Sequence, residues 1–463
     1  MKHTATKYLF TFLLFVYGAN VALAQSNKIV AIDSLIHSAN KLGLFNGNVL
    51  VADDNKVIYT TAIGFADASG QTALTVNYRF HIGSIAKEFN AVGIMMLQEQ
   101  GKLSIDDKVS KYLPDLPVWS NKISIKNLLQ YTSGLPDVKW ATVKTDADNM
   151  ADLMKLDKLN FEPGTTYNYN NNNVFLQRRI IEKVSGLTFN QFVAQKILKP
   201  CGMNTALVDP TDADTLIAKA YNDKHQQDGL TVPISGWTSV TLFDFYKWAN
   251  AIVNFKFINP TSTRQIIYPV GPNKQAGLGG GSMDGDKLVS HIHDGTSLNY
   301  QALLVCNVSQ GRTVILLTNN KQGNLYNINT AIQAILDGKP YTQPKKSMAK
   351  DYQAAFDTLS GEKIIAFYKE LKVKHEQEYG FDDESTLNEI GYSLLGSNRT
   401  NDAIIVFEYN TQLFPASGNV YDSLGEAYYK QGDKQKALIN YKRSFQLDPT
   451  NTNAKNFIAE LEK

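Results

Sequence analysis

The sequence predicts an α+β domain, an antiparallel sheet flanked by helices with a helical lobe beside it, followed by an all-α helical region. Three observations carry this expectation. Strand-like runs stand at both ends of residues 28–338 with a long helical or irregular stretch between them, as one sheet built from both ends of a domain requires. Residues 339–350 are polar and hold Pro340 and Pro344, the marks of a linker. Residues 351–463 then change to helix formers that repeat at a fixed interval.

Length and composition allow this division. The 463 residues are enough for two or three domains, and 43% hydrophobic with 11% aromatic content supports packed cores rather than a disordered chain. Residues 1–24 read as a cleaved secretory signal. A basic start with Lys2 and Lys7 precedes an apolar run from Tyr8 to Tyr17, and Ala22-Leu23-Ala24 stands before Gln25. The run is shorter than the roughly 20 residues of a membrane span, so export to the periplasm or the exterior is expected, with no span after cleavage. Without Lys2 and Lys7 the chain has 44 basic and 44 acidic side chains. Such a balance gives no basic footprint for nucleic acid. Cys201 and Cys306 are the two cysteines; Cys306 lies in the apolar run from Ala302, and two free thiols are expected.

In chain order, Ile29, Ile32, Leu35, Ile36 and Leu42 follow near-helical spacing within residues 28–44. Residues 46–52 and 56–62 flank Asp53-Asp54-Asn55, a hairpin signal. After a turn at Ala68-Ser69-Gly70, residues 80–89 read as the first turns of a helix continuing to Gln98. Strand patterns return near 287–290, 301–308 and 313–319, and a helix at 328–336 closes the domain. In the last region Gly391 recurs as Gly425, Ala403 as Ala437, Phe407 as Tyr441, Leu413 as Leu447 and Pro415 as Pro449, each pair 34 residues apart. That is the tetratricopeptide period, with small residues where paired helices cross. Two repeats are few, so residues 351–374 and 453–463 are expected to add packing or capping helices.

The residues that carry chemistry begin with Ser84-Ile85-Ala86-Lys87. A spacing of three places the serine hydroxyl and the lysine amine on one helix face. A buried lysine loses its charge easily and can then take the hydroxyl proton, although the tetrapeptide taken alone fits a capped helix start with a solvated lysine better. Tyr169 offers a phenol to relay a proton and Asn171 an amide to hold a substrate amide, within an asparagine run that alone reads as a solvated loop. Residues 288–296 resemble an exposed strand edge on which Gly295 lets a ligand backbone approach. His291 and His293 raise the question of a metal, but seven histidines supply no carboxylate-histidine ligand framework and there is no Cys-x-x-Cys, so neither metal nor cofactor is expected.

Ser84-Ile85-Ala86-Lys87, Tyr169-Asn170-Asn171 and His293-Asp294-Gly295 stand in the order and approximate spacing of the three motifs of serine β-lactamases and penicillin-binding proteins. Over residues 28–338 the chain resembles most the class C β-lactamase, D,D-carboxypeptidase and esterase branch of that superfamily. The stretches 47–52, 128–137, 161–165 and 244–248 are similar to it as well. The resemblance implies a serine β-lactamase-like fold and an acyl-enzyme on Ser84, with Lys87 as its base or the stabiliser of its alkoxide. It implies that Tyr169 shuttles the proton to the leaving group, that Asn171 orients the substrate carbonyl, and that His293 lines the substrate edge. The backbone N–H groups of Ser84 and Thr296, beside Gly295, would form the oxyanion hole.

Two positions depart from the pattern. His293 stands where most relatives have lysine, and imidazole holds a substrate carboxylate less firmly than ammonium does. Val240-Thr241 stands where relatives often carry Ser-Thr. The expectation is therefore an exported serine hydrolase acting on D-amino-acid peptides, cell-wall fragments or esters ahead of β-lactams. The rival is a catalytically silent binding protein whose tetratricopeptide region recruits a peptide or protein partner.

Overall fold

The computed structural model describes residues 25–230, 232–271 and 274–463, so the expected signal at residues 1–24 lies outside the described residues. Two compact units divide between Gln343 and Pro344. Residues 25–41 form helix α1, and β1 (Gly47–Asp53) and β2 (Lys56–Ile63) follow as an antiparallel hairpin. Asp54 and Asn55 close it at φ 51° and 60°, the left-handed pair that a two-residue hairpin turn needs and that Asp and Asn tolerate.

The sheet takes four more strands from the far end of the first unit: β6 (Gly280–Asp284), β7 (Lys287–Ser297), β8 (Tyr300–Asn307) and β9 (Arg312–Thr318). Its order is β2-β1-β9-β8-β7-β6, antiparallel throughout. Both faces are covered. Val49, Val51, Val314 and Leu316 point to one side, against Ile32, Leu35 and Ile36 of α1 and Ile328 and Ile332 of the closing helix Leu325–Leu336. Leu50, Ala52, Ile315 and Leu317 point to the other, into the core of the helical lobe. Burial on both faces is why β9 is apolar without alternation while the period of two still sorts its side chains.

Within the lobe, helix α2 (Lys87–Glu99) is buried from Lys87 through Met95, including its polar residues. Residues 80–89 do not form one helix as their sequence predicts. Phe80–His81 is a short strand, β3, in a second sheet ordered β3-β5-β4 with β4 (Leu207–Val208) and β5 (Thr238–Val240). Gly83 then turns the chain at φ 54°, and Gly83–Ala86 is a 3₁₀ turn entering α2. No side chain fits at Gly83, because a Cβ there would lie 2.5 Å from the Thr296 nitrogen. The Val240-Thr241 pair also finds its place: Val240 pairs with Phe80, and the Thr241 hydroxyl accepts the Asp244 N–H to cap helix Leu242–Val253.

The second unit is helical. Met348 and Ala349, in the stretch read as a linker, are buried in its core. Helices Ser385–Gly396 and Thr400–Leu413 are followed, 33 and 34 residues on, by Gly418–Gln431 and Lys434–Leu447, with Gly361–Lys374 before and Thr452–Leu461 after them. Ala403, Phe407, Ala437 and Tyr441 are fully buried. A Cβ on Gly391 would lie 2.9 Å or less from three Phe407 ring atoms, and one on Gly425 at 3.1 Å from the Tyr441 ring. Gly391→Ala should therefore destabilise this unit by about 1–3 kcal/mol through overpacking, and Gly425→Ala by less. Thermal unfolding of the full chain by circular dichroism checks the order; equal melting of both variants and wild type would refute it.

Candidate active site

The 3₁₀ turn brings residues three apart almost into register. Its consequence is direct: the Lys87 Nζ lies 2.9 Å from Ser84 Oγ. The same amine lies 2.7 Å from the Tyr169 hydroxyl and 4.4 Å from the centre of that ring. Lys87 is 3% exposed. Burial, aided by the positive charge of Arg178 and opposed by Asp137, pulls its pKa down to about 7. Tyr169 moves the other way: burial holds its phenol above the usual range, so it stays protonated near neutrality. Beside it, Tyr131 is also buried, its ring centre 4.5 Å from that of Tyr169, and burial raises its phenol well above the ordinary value.

The asparagine run proves to be the start of helix α3 (Asn171–Ser185) rather than a solvated loop. Asn170 caps it by accepting the Asn173 N–H, and its own amide donates to the Leu135 carbonyl at 2.9 Å. Asn172 is buried and donates to the Pro136 carbonyl. These bonds fix the 135–137 turn, whose Asp137 carboxylate accepts the Asn171 N–H at 2.8 Å. The Asn171 side-chain oxygen is buried and finds no partner among the described residues. Further along α3, buried Arg178 donates to Asn90 Oδ1 at 3.1 Å and to the carbonyls of Ser235 and Gly236. Its guanidinium sits 5.5 Å from the Trp237 ring.

The third motif differs from its reading as an exposed edge. Strand β6 covers β7 as far as Ile292, so only the stretch from His293 onward lacks a strand neighbour on that side. There β7 runs beside the nucleophile turn. A Cβ on Gly295 would lie 2.9 Å from the Ser84 nitrogen, so only glycine permits this approach. The Gly83–Ser84 turn and the Gly295–Thr296 backbone thus lie in close contact.

His293 is held from behind. Its Nδ1 lies 2.8 Å from Glu88 Oε1, which His291 Nε2 also reaches at 2.8 Å, while Glu88 Oε2 accepts the Trp248 indole N–H at 2.6 Å. Glu88, His291 and His293 are all buried, so the pair that raised the question of a metal binds a carboxylate instead. Burial opposes charge at both Glu88 and His291, yet their mutual attraction wins: the carboxyl is held well below its usual range and His291 rises to about 10. Sequence reading missed Glu88, Tyr131 and Arg178. A carboxylate directly after Lys87, matched with two histidines two residues apart, was the available signal for Glu88. Cys201 and Cys306 are both free and buried.

A serine in contact with a buried lysine whose pKa falls to about 7, at the edge of an antiparallel sheet, defines a β-lactamase-like and penicillin-binding-protein-like serine hydrolase. Residues 32–337 match the Beta-lactamase family model, and the chain belongs to that family. Residues 418–451 match the tetratricopeptide repeat. Penicillin-binding protein 4* of Bacillus subtilis (strain 168) is 27% identical over 384 residues, covering 74% of this chain and 84% of that protein. A class C beta-lactamase shares the fold at TM-score 0.58 and 21% identity, over 69% of this chain and 98% of its own. FmtA from Staphylococcus aureus shares it at TM-score 0.56 and 23% identity, over 69% and 91%.

Proposed function

We propose that this chain is an exported serine acyl hydrolase that forms an acyl-enzyme on Ser84 and acts on D-amino-acid peptides or esters. The contact of Ser84 Oγ with a buried amine whose pKa is about 7 carries the reading. The neutral Lys87 amine takes the serine proton as Oγ attacks the substrate carbonyl. Tyr169, bonded to the same amine, passes a proton to the leaving group, and the pair later activates water. The Ser84 and Thr296 N–H groups receive the developing oxyanion, each worth on the order of 3 kcal/mol in the transition state. Asn171, at the start of α3 two residues after Tyr169, orients the substrate carbonyl.

Imidazole at His293, where most relatives have lysine, holds a substrate carboxylate less firmly than ammonium does, which favours amides and esters without a free carboxylate over β-lactams. Among the described residues no helix is long and apolar enough to cross a membrane, and the helical second unit offers a surface for a protein partner.

The acid limb of the pH–rate profile tests the base. Because the neutral amine is the active form, kcat/KM should rise through pH about 7, and at pH 6 roughly one tenth of Lys87 is neutral. Ester hydrolysis is therefore expected about tenfold below its plateau there. A profile flat from pH 5.5 to 8 would remove Lys87 from the role of base.

A further inference from the structure

Asp294 stands between His293 and Gly295, on the part of β7 that has no strand neighbour on its outer side among the described residues. It precedes by one residue the glycine whose backbone touches the Ser84 turn. Thr296 follows two residues on, about 7 Å along an extended strand. Side chains alternate along a strand, so His293 turns inward to Glu88 and Asp294 turns to the opposite face. There its Oδ1 accepts the Tyr326 hydroxyl at 2.9 Å, in a bond that is exposed to solvent, and the Gln275 side-chain amide at 3.4 Å. Both partners are neutral. Burial, and after it the Asp294 charge, holds the Tyr326 phenol above the usual range, so it stays protonated. Asp294 therefore keeps an accessible carboxylate with no ion pair among the described residues.

That charge is felt at the reacting groups. Burial comes first among the causes that raise the Tyr169 phenol, and the charges of Tyr167 and Asp294 act in the same direction. Gln275 joins the carboxylate to these aromatic side chains, because its backbone N–H donates to the Tyr167 hydroxyl at 3.1 Å. The other charges nearby do not cancel it. Asp137, exposed at the start of α3, adds a second negative charge that favours the ammonium form of Lys87. Arg178 is buried against Asn90 and two carbonyls, and Glu88 is closed in by His291, His293 and Trp248. Lys274 is exposed, with its amine 5.0 Å from the centre of the Tyr167 ring.

A carbonyl received by the Ser84 and Thr296 N–H groups would lie within a few strand residues of Asp294. An ammonium two bonds from that carbonyl then comes within roughly one Debye length of the carboxylate, about 10 Å at 0.1 M salt. Attraction of the cation and repulsion of an anion at that place follow from Coulomb's law, whatever the exact contact. We propose that Asp294 is a specificity-determining residue that selects acyl groups with a free ammonium next to the scissile carbonyl, as in an unblocked aminoacyl amide or ester, over blocked or anionic ones. The inference rests on the acyl-hydrolase reading and narrows its substrate class.

Asp294→Asn removes the charge and keeps an oxygen to accept from Tyr326. At pH 7 an α-amine is mostly protonated. In the full-length protein, the ratio of kcat/KM for D-alanine p-nitroanilide to that for acetyl-D-alanine p-nitroanilide should fall about tenfold in the variant. In wild type the same ratio should fall roughly threefold between 0.05 and 0.5 M sodium chloride, and in the variant it should not respond. A ratio unchanged by the substitution, or a wild-type ratio indifferent to salt, overturns the role of Asp294 and leaves the hydrolase standing; if the variant does not fold, the wild-type salt response decides. Turnover of p-nitrophenyl acetate by wild type, with neither anilide cleaved, refutes the inference alone. If none of the three is turned over the hydrolase reading fails, and calorimetric titration of D-alaninamide and acetyl-D-alaninamide decides Asp294 by itself. Tighter binding of the cation, lost in Asp294→Asn, supports it, and equal or absent binding refutes it.

Discussion

Ser84→Ala should lower kcat/KM for esters and peptides by roughly four to six orders of magnitude, because the hydroxyl proposed to form the acyl bond is gone. Lys87 and Tyr169 remain in contact in the variant, so the loss would report the nucleophile rather than a collapsed site. Intact mass after exposure to benzylpenicillin, together with p-nitrophenyl ester turnover, reads the result. A lasting penicilloyl increment on wild type alone would group the protein with penicillin-binding peptidases. Ester turnover lost in the variant without that adduct would group it with esterases. A variant as fast as wild type would end the acyl-enzyme reading.

The second large effect is expected at Glu88. Its carboxylate accepts from Trp248, His291 and His293 at once, joining α2, the helix Leu242–Val253 and β7 behind the serine. Glutamine cannot replace it. With its oxygen toward the histidines, the amide nitrogen faces the Trp248 N–H, donor against donor; turned over, it faces His291 and His293, whose nitrogens would both have to become acceptors.

Glu88→Gln should therefore cost about 3–5 kcal/mol of stability, the range for breaking a buried ion pair. By letting β7 shift against the Ser84 turn, it should also slow ester hydrolysis on the order of 100-fold. The pH dependence of stability carries a matching sign. Glu88 has a depressed folded pKa, so its contribution is present above the ordinary 4.5 and lost as pH falls. His291 is raised to about 10, so its contribution is complete below the ordinary 6.5 and lost as pH rises through about 10. The wild-type advantage over Glu88→Gln should be greatest between pH 4.5 and 6.5. A variant that melts with wild type across that range would show that the cluster contributes nothing.

Much of the site was legible in the sequence because its first contact is local. Ser84 and Lys87 are one turn apart, and either an α-helix or the observed 3₁₀ turn brings them together. The error over residues 80–89 has the same root: Phe80 and His81 are aromatic in either state, and only pairing with Val240 and Ser239 makes them a strand. The asparagine run misled for a related reason. Asparagine favours solvated turns and helix caps alike, and burial against residues 135–137 selected the cap.

The sequence by itself determined the features set by short-range spacing. These are the hairpin at Asp54-Asn55, the Ser84–Lys87 pair, and the 34-residue repeat with its small residues facing aromatic rings. Tertiary structure alone decided the charges and the partners. Lys87 reaches Tyr169 across 82 residues, and Glu88 reaches His291 and His293 across 203 and 205. The Lys87 pKa falls to about 7 because α2 is enclosed and Arg178 comes to lie nearby. Spacing along the chain fixes which side chains share a turn, whereas desolvation and Coulomb energy depend on everything packed around a group, and that environment exists only once the sheet and lobe have closed over it.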